Sequence, residues 1–355
     1  MATTPKISVV MPAYNARETI AEAVDSILSQ TFGDFELLIF DDASTDDTPE
    51  ILARYAASDG RIRVFRSEEN KNYTHRLNEG LALAAAPIVA RMDADDVCMP
   101  YRFEKQYAFL AAHPETTLCA GQMEYYETGE VTKLPLDDSG IRLALLRDSC
   151  MPHPAWMFRK EALPAAGGYD PSYTPADDYA MLVALAAIPG VYFANLPEVL
   201  IRYRLHLDKD RTKYREVQKR NAARVRATLI RRLVPDVSDN DLACHEFLCG
   251  FEASMAVRQL AECREWLKRL LAANASAELY NRKAFRDSWL KRWWEVCNES
   301  FHIGILRNIL TGNELEALPR FELLFPMVLT FAHWLQRKLL PSRWRSKYLY
   351  RLERL

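Results

Sequence analysis

Short apolar runs alternate with amphipathic stretches over the first ~130 residues. "ISVVMP" (7–12) reads as a buried strand, and "ETIAEAVDSILSQ" (18–30) places Ile20, Val24, Ile27 and Leu28 on one helical stripe. "FELLIF" (35–40) is a second strand. "DTPEILARYAAS" (47–58) is a helix with Asp47 at its N-cap and Pro49 in its first turn. A strand at 61–66, a helix at 74–86 and a strand at 87–92 complete the series. Such alternation predicts right-handed crossovers and a mostly parallel sheet covered on both faces. Between ~115 and ~205 the pattern loosens. Strands are expected at 116–127 and after 154, a helix at 176–188, and two strand segments in 191–206. Beyond ~208 strand signals fade and helical spacing dominates. A boundary is expected near 208–215, with an α/β domain over 1–210 and a helical C-terminal domain over 211–355.

Ligands of parallel α/β sheets bind outside the carboxyl ends of the strands. Three polar clusters fall there: "PAYNA" after the first strand, "DDASTDD" after the second and "DADD" after the fourth. The last sets Asp93, Asp95 and Asp96 within four positions, directly after an apolar strand. Like charges this close need compensation. A helix cap accounts for one or two of them, whereas a hard divalent cation, Mg²⁺ or Mn²⁺, takes oxygen ligands and shares its shell with phosphates. On an extended segment Asp93 and Asp95 point the same way, and Asp96 points elsewhere and braces the loop.

Composition narrows the classes. At 355 residues, 49% hydrophobic and 26% charged, the chain can build a substantial core, and a net charge of −2 gives no reason to expect nucleic acid. Seven cysteines stand singly with no metal-ligand spacing, a pattern of reduced thiols. No secretory signal or spanning segment is visible, so a cytoplasmic protein is expected. The stretch after 209 mixes Trp with Lys and Arg, as in "NRKAFRDSWLKRWWE" and "WLQRKLLPSRWRSKYLYRLERL". It reads either as a packed helical domain with a solvated basic face or as an interfacial segment. The second reading holds the protein peripherally on the inner face of the cell membrane.

The ordered set "PAYN", "DDAS-TDDT", "HRLNEGL", "MDADD", "ADDYAMLVAL" and "YRLH" resembles the family 2 glycosyltransferases, inverting enzymes of the GT-A fold. The resemblance covers about residues 5–207. It implies a nucleotide-sugar donor, with a UDP-sugar favoured, and a saccharide or lipid-linked acceptor, as in cell-surface polysaccharide synthesis. It further implies that Pro12 and Tyr14 contact the nucleobase, that Asp42 accepts a hydrogen bond from it with Asp41 in support, and that Asp93 meets the ribose. Asp95 is then the ligand of a Mn²⁺ or Mg²⁺ ion bridging to the diphosphate, with Ala94 among the donor-contacting residues. The acid pair implies a general base at Asp178, with Asp177 beside it and open as the alternative. His206 matches a position that reaches metal or diphosphate.

Two further residues are read from their own chemistry. Arg76 offers a fork for phosphate or ribose, and His153, between prolines, is placed to meet donor sugar or acceptor. Two other functions fit the same clusters: a sugar-nucleotide nucleotidyltransferase, which does not require the pair at 177 and 178, and a non-catalytic nucleotide- or carbohydrate-binding subunit.

Overall fold

A computed structural model describes residues 4–205, 212–250 and 257–301. An eight-stranded sheet runs in the order β3-β2-β1-β4-β7-β6-β8-β5. Its strands are β1 (Ile7–Ala13), β2 (Phe35–Asp41), β3 (Ile62–Arg66), β4 (Ile88–Arg91), β5 (Val97–Cys98), β6 (Thr116–Tyr125), β7 (Met157–Arg159) and β8 (Tyr192–Tyr203). β1, β2, β3 and β4 pair in parallel, and β7 enters antiparallel to both β4 and β6. Every residue of β1 and β2 is buried, as expected of central strands covered on both faces.

The register decides where chemistry can occur. Ala13 pairs with Asp41, and Val10 with Arg91. The segments leaving β1, β2 and β4 therefore emerge along one edge. Helices α1 (Ile20–Leu28), α2 (Thr48–Ser58) and α3 (Tyr73–Leu83) cross back over the sheet. α1 buries Ile20, Ala23, Val24 and Ile27. Gly80 lets α3 approach β1 closely, since a Cβ there would lie 2.2 Å from a Val10 methyl.

Several local expectations are corrected. Asp47 provides no side-chain cap for α2; the Asp46 carboxylate accepts the Thr48 N–H instead, at 3.0 Å. α3 stops at Leu83, ahead of the Ala84–Ala86 stretch, because Pro87 follows and disfavours helix before it. The segment at 191–206 contains one strand, β8. Its pairing with β6 shifts register around Gly121 and Leu196–Val199, which accommodates Pro197 without breaking the strand. Residues 94–95 form a turn rather than extended chain.

α4 (Arg102–Ala112) and α5 (Asp138–Ala144) have no counterpart in the apolar pattern. α4 buries Arg102 and Gln106 as well as Phe103 and Leu110, so half of its inner face is polar. Arg102 is fully buried and donates to the carbonyls of Arg91 at 2.9 Å and Trp156 at 3.1 Å. It thereby fastens the end of β4 to β7 beneath the acidic turn.

After α6 (Ala162–Ala166), Gly167 and Gly168 make a turn with φ of 84° and 75°. The Asn78 side chain grips it, accepting the Tyr169 N–H at 2.9 Å and donating to the Tyr169 carbonyl at 2.8 Å. The turn leads into α7 (Asp177–Ala186).

Among the described residues four helices follow: α8 (Thr212–Leu233), α9 (Asp239–Cys249), α10 (Val257–Ala277) and α11 (Arg282–Phe301). Trp266, Trp289 and Trp293 are buried among them. Trp289 and Trp293 belong to the basic Trp-rich stretch read as interfacial; packing inside the helical core removes both from any membrane surface. The segment 331–355 and His206 lie outside the described residues. Among the described residues no helix is long and apolar enough to cross a membrane. Six free cysteines are described and five of them are buried.

Candidate active site

A cleft of about 1110 Å³ opens at the carboxyl ends of β1, β2 and β4. Its wall draws on the loop after β1, the acidic turn after β4, the loop holding His153, the start of α7, the end of β8 and one face of α8. Pro12, Tyr14, Asp42, Asp93, Ala94, Asp95, His153 and Asp178 all line it. Asp41, Asp177 and Arg76 do not.

The first loop is held by the second. Asn15 N–H donates to Ser44 Oγ at 2.9 Å, Ala16 N–H to Thr48 Oγ1 at 2.8 Å, and Thr45 N–H to Asn15 Oδ1 at 2.8 Å. Tyr14 stays 51% exposed on this braced loop and lines the cleft. Asp42 is buried and held from behind by three donors, which leaves one acceptor position on Oδ2. It accepts the N–H groups of Lys71 at 3.0 Å and Asn72 at 2.8 Å, and the Arg76 Nε–H at 2.6 Å. Arg76 also engages Glu79 and Ser67. Its guanidinium is thus committed beneath Asp42, against the expectation of phosphate or ribose contact. Asp41, also buried, accepts the Ser44 N–H and shapes the loop.

At the acidic turn the carboxylate oxygens of Asp93, Asp95 and Asp96 lie within 4.8 Å of one another. The turn brings all three together, where extended chain would have sent Asp96 away. Asp96 also braces the loop, accepting the Arg204 N–H at 2.8 Å. Its other oxygen is buried without a hydrogen bond. Burial, then the charges of Asp93 and Asp95, hold its acid form well above the usual carboxylate range. An all-oxygen set with one orphaned buried oxygen fits a hard divalent cation. Arg204 Nε–H further donates to the Asp95 carbonyl at 2.9 Å, and Thr19 Oγ1 to the Ala94 carbonyl at 3.0 Å, which pins the turn to β8 and α1.

Arg91 is the one buried cation in the lining among the described residues; it pairs with Asp93 and leaves a buried Nε without a hydrogen bond. Burial and the nearby Arg91 charge push the His153 imidazole well below its ordinary range, so it is neutral. His153 Nε2 and the Tyr169 hydroxyl share a hydrogen bond of 2.9 Å.

The acid pair divides its roles by position. Asp177 is 1% exposed and faces away from the cleft. One of its oxygens accepts the Tyr73 hydroxyl, and the other has no partner. Burial raises its proton affinity. Asp178 is half-buried and faces the cleft; burial and the adjacent Asp177 push its pKa up to about 7. One cleft is thus lined both by a carboxylate of raised proton affinity, Asp178, and by members of the three-aspartate cluster, Asp93 and Asp95.

The sequence reading missed Tyr73, Arg204, and the α8 residues Tyr214, Arg215 and Gln218, all in the lining. Arg204 stands in "YRLH", so the strand end next to His206 carried a signal for it. Tyr73 immediately precedes the expected helix start. Nothing in the helical pattern of α8 marks its cleft-facing residues.

The profile described as Glycosyl transferase family 2 matches residues 8–165. The O-antigen biosynthesis glycosyltransferase WbnJ of Escherichia coli is 32% identical over 206 residues, spanning 56% of this chain and 80% of that protein. The amylovoran biosynthesis glycosyltransferase AmsE of Erwinia amylovora is 30% identical, over 57% of this chain and 77% of that protein. Among solved structures, S. aureus TarS 1–349 superposes with a TM-score of 0.54 at 17% identity, over 84% of this chain and 92% of that one. TarS has also been solved with UDP and with UDP-GlcNAc. The mannosyltransferase PcManGT from Pyrobaculum calidifontis, in complex with GDP-Man and Mn²⁺, gives 0.53 at 20% identity over 82% and 86% of the two chains. The structural likenesses establish the fold as GT-A. With WbnJ covered over four-fifths of its length, the chain belongs to the family 2 glycosyltransferases.

Proposed function

We propose that the protein is a metal-dependent inverting glycosyltransferase. It moves a sugar from a nucleotide-sugar, with a UDP-sugar first in order, to a hydroxyl of a saccharide or lipid-linked acceptor in cell-surface polysaccharide synthesis. The observation that carries this reading is the sharing of one cleft by Asp95, in the turn after β4, and Asp178, in the first turn of α7, 83 positions apart in the chain. The names of WbnJ and AmsE support the polysaccharide context. The UDP complexes of TarS support the donor class, and the GDP-Man complex of PcManGT keeps a second base in the screen below.

Each side chain then has a physical task. Tyr14 stacks on the base, with Pro12 beside it. Asp42, held rigid by Arg76 and two backbone N–H groups, accepts the base N–H without reorganising. Asp93 meets the ribose. Asp95, with Asp93 and Asp96, would hold Mg²⁺ or Mn²⁺. When bound, the ion supplies positive charge against the diphosphate as its negative charge develops. Asp178 takes the proton of the acceptor hydroxyl as that oxygen attacks the anomeric carbon. Proton transfer of this kind is worth ~10²–10⁴-fold in rate. A pKa near neutrality suits the task, because the group is both ionised and basic enough to accept. Asp177 and Tyr73 act through Asp178 as positioning residues. Neutral His153 can donate or accept toward a sugar hydroxyl.

The test is a screen of UDP- and GDP-sugars with Mn²⁺, reading nucleoside diphosphate release, with the anomeric configuration of the product assigned by NMR. Turnover that EDTA suppresses and a product of inverted configuration are expected. Metal-independent turnover or retained configuration would overturn the assignment.

A further inference from the structure

A second concavity, of about 480 Å³, lies between α8 and α9 and shares no residue with the catalytic cleft. Its floor is small and apolar: Ala223, Ala227, Leu242 and Ala243. Its rim carries Arg220, Arg224 and Arg231. At 100° per residue these three positions fall within about 40° of one another, so they form one stripe along α8, roughly 17 Å long. The residues of α8 that face the catalytic cleft, Tyr214, Arg215 and Gln218, lie on the other side of the helix.

The charge of this groove is uncompensated. Arg220 and Arg231 make no hydrogen bond or ion pair among the described residues. Arg224 stacks its guanidinium 4.5 Å from the centre of the Tyr173 ring and donates to the Ser172 carbonyl at 3.0 Å, which orients it at the rim. The one acid among the described residues of the lining, Glu246, is already neutralised by two guanidinium nitrogens, Nε and Nη2, of buried Arg226. Three cations therefore surround an apolar floor, and among the described residues of the lining no free anion faces them.

We propose that the groove is a second binding site, for the phosphate or diphosphate group of an anionic ligand. Arg220 and Arg224 stand one helical turn apart, about 6 Å along the axis. Two guanidinium forks at that spacing can divide the oxygens of one phosphate between them, whereas a planar carboxylate is saturated by a single fork. The concave alanine floor leaves room beside the phosphate for an uncharged portion of the ligand. Tyr173 joins the groove to chemistry: Pro175, two residues on, lines the catalytic cleft, and Asn221 and Gln218 of α8 donate to the carbonyls of Thr174 and Pro175.

The experiment uses the full chain without divalent cation. Inorganic pyrophosphate is titrated calorimetrically, and co-sedimentation is measured with phosphatidylglycerol and phosphatidylcholine vesicles. The charge-reversed double variant Arg220→Glu/Arg231→Glu, at two exposed positions, is compared with wild type, and UDP binding with Mn²⁺ serves as the control for an intact fold. Loss of one charge-assisted contact predicts at least about tenfold weaker pyrophosphate binding in the variant, with UDP binding unchanged. Variant-sensitive sedimentation with phosphatidylglycerol assigns the phosphate to a lipid headgroup. Its absence, with pyrophosphate still bound, assigns a free or glycan-borne phosphate. Equal pyrophosphate affinity in variant and wild type overturns the proposal and would place the binding elsewhere, as in the catalytic cleft. Failure of wild type to bind either probe overturns it as well.

Discussion

Replacing Asp178 with asparagine should make the protein inactive and more stable at the same time. The side chain keeps its shape and loses its charge. Transfer should fall by ~10²–10⁴-fold, the value of a positioned general base. The stability change has the opposite sign. Burial and Asp177 raise Asp178 from the ordinary aspartate value of 3.8 to about 7. A carboxyl whose proton affinity is higher in the folded state favours folding while protonated, below the unfolded value. That contribution is lost as pH rises through the folded value. The window is therefore pH 4–7, and above it the ionised group costs folding about 4 kcal/mol at most. Its partial exposure lets solvent screen the charge, which brings the expected figure to about 2 kcal/mol. Urea unfolding of the metal-free protein, followed by tryptophan fluorescence, reads this; Trp156 is fully buried beside His153. The variant should exceed wild type by about 2 kcal/mol at pH 8 and match it near pH 4. Wild-type transfer rates in the variant, or a stability difference that does not change with pH, would refute the reasoning.

Other outcomes follow from the same geometry. Tyr73→Phe removes the donor that stabilises the Asp177 carboxylate. Asp177 should then hold its proton, ease the repulsion on Asp178 and lower the acidic limb of the kcat profile by about one pH unit. Arg91, Asp148, Tyr169 and Tyr214 also bear on this cluster and are unchanged in that variant, so an unshifted or raised limb contradicts the coupling. Arg76→Met breaks a buried pair and should cost about 3 kcal/mol in urea unfolding, the low end for such pairs, because two backbone N–H groups still hold Asp42. Nucleotide affinity, measured calorimetrically, should fall with it. Mn²⁺ at about 100 times its dissociation constant should add roughly 2.7 kcal/mol to wild-type stability and nothing to Asp95→Asn in thermal unfolding.

The parallel half of the fold was legible because its strands are continuous apolar runs ended by polar clusters, and the shared edge follows from parallel pairing alone. The mixed half, where β7 and β5 run antiparallel to their neighbours while β6 and β8 pair in parallel, was less so. α4 hides its inner face behind Arg102 and Gln106, and β5 is two residues long. Pro197 made one bulged strand look like two. At the site, the residues at strand ends were readable, since topology fixes where they emerge. What a side chain does there was not. Arg76 and Asn78 look alike as solvent-facing polar residues of a helix, yet one braces Asp42 and the other clamps the turn before the acid pair. Those roles depend on partners 34 and 91 positions away. The division of labour between Asp177 and Asp178 likewise depends on which of two adjacent residues faces inward at the start of α7.

In the proposed mechanism one cavity carries both the cation-binding turn and the proton acceptor. Anomalous diffraction at the manganese edge, from crystals soaked with Mn²⁺ and UDP, tests it most directly. A single strong peak is expected in contact with Asp95 and a diphosphate oxygen, with the Asp178 carboxylate facing the same cavity. A peak at another site, or UDP bound outside the cleft, would contradict it.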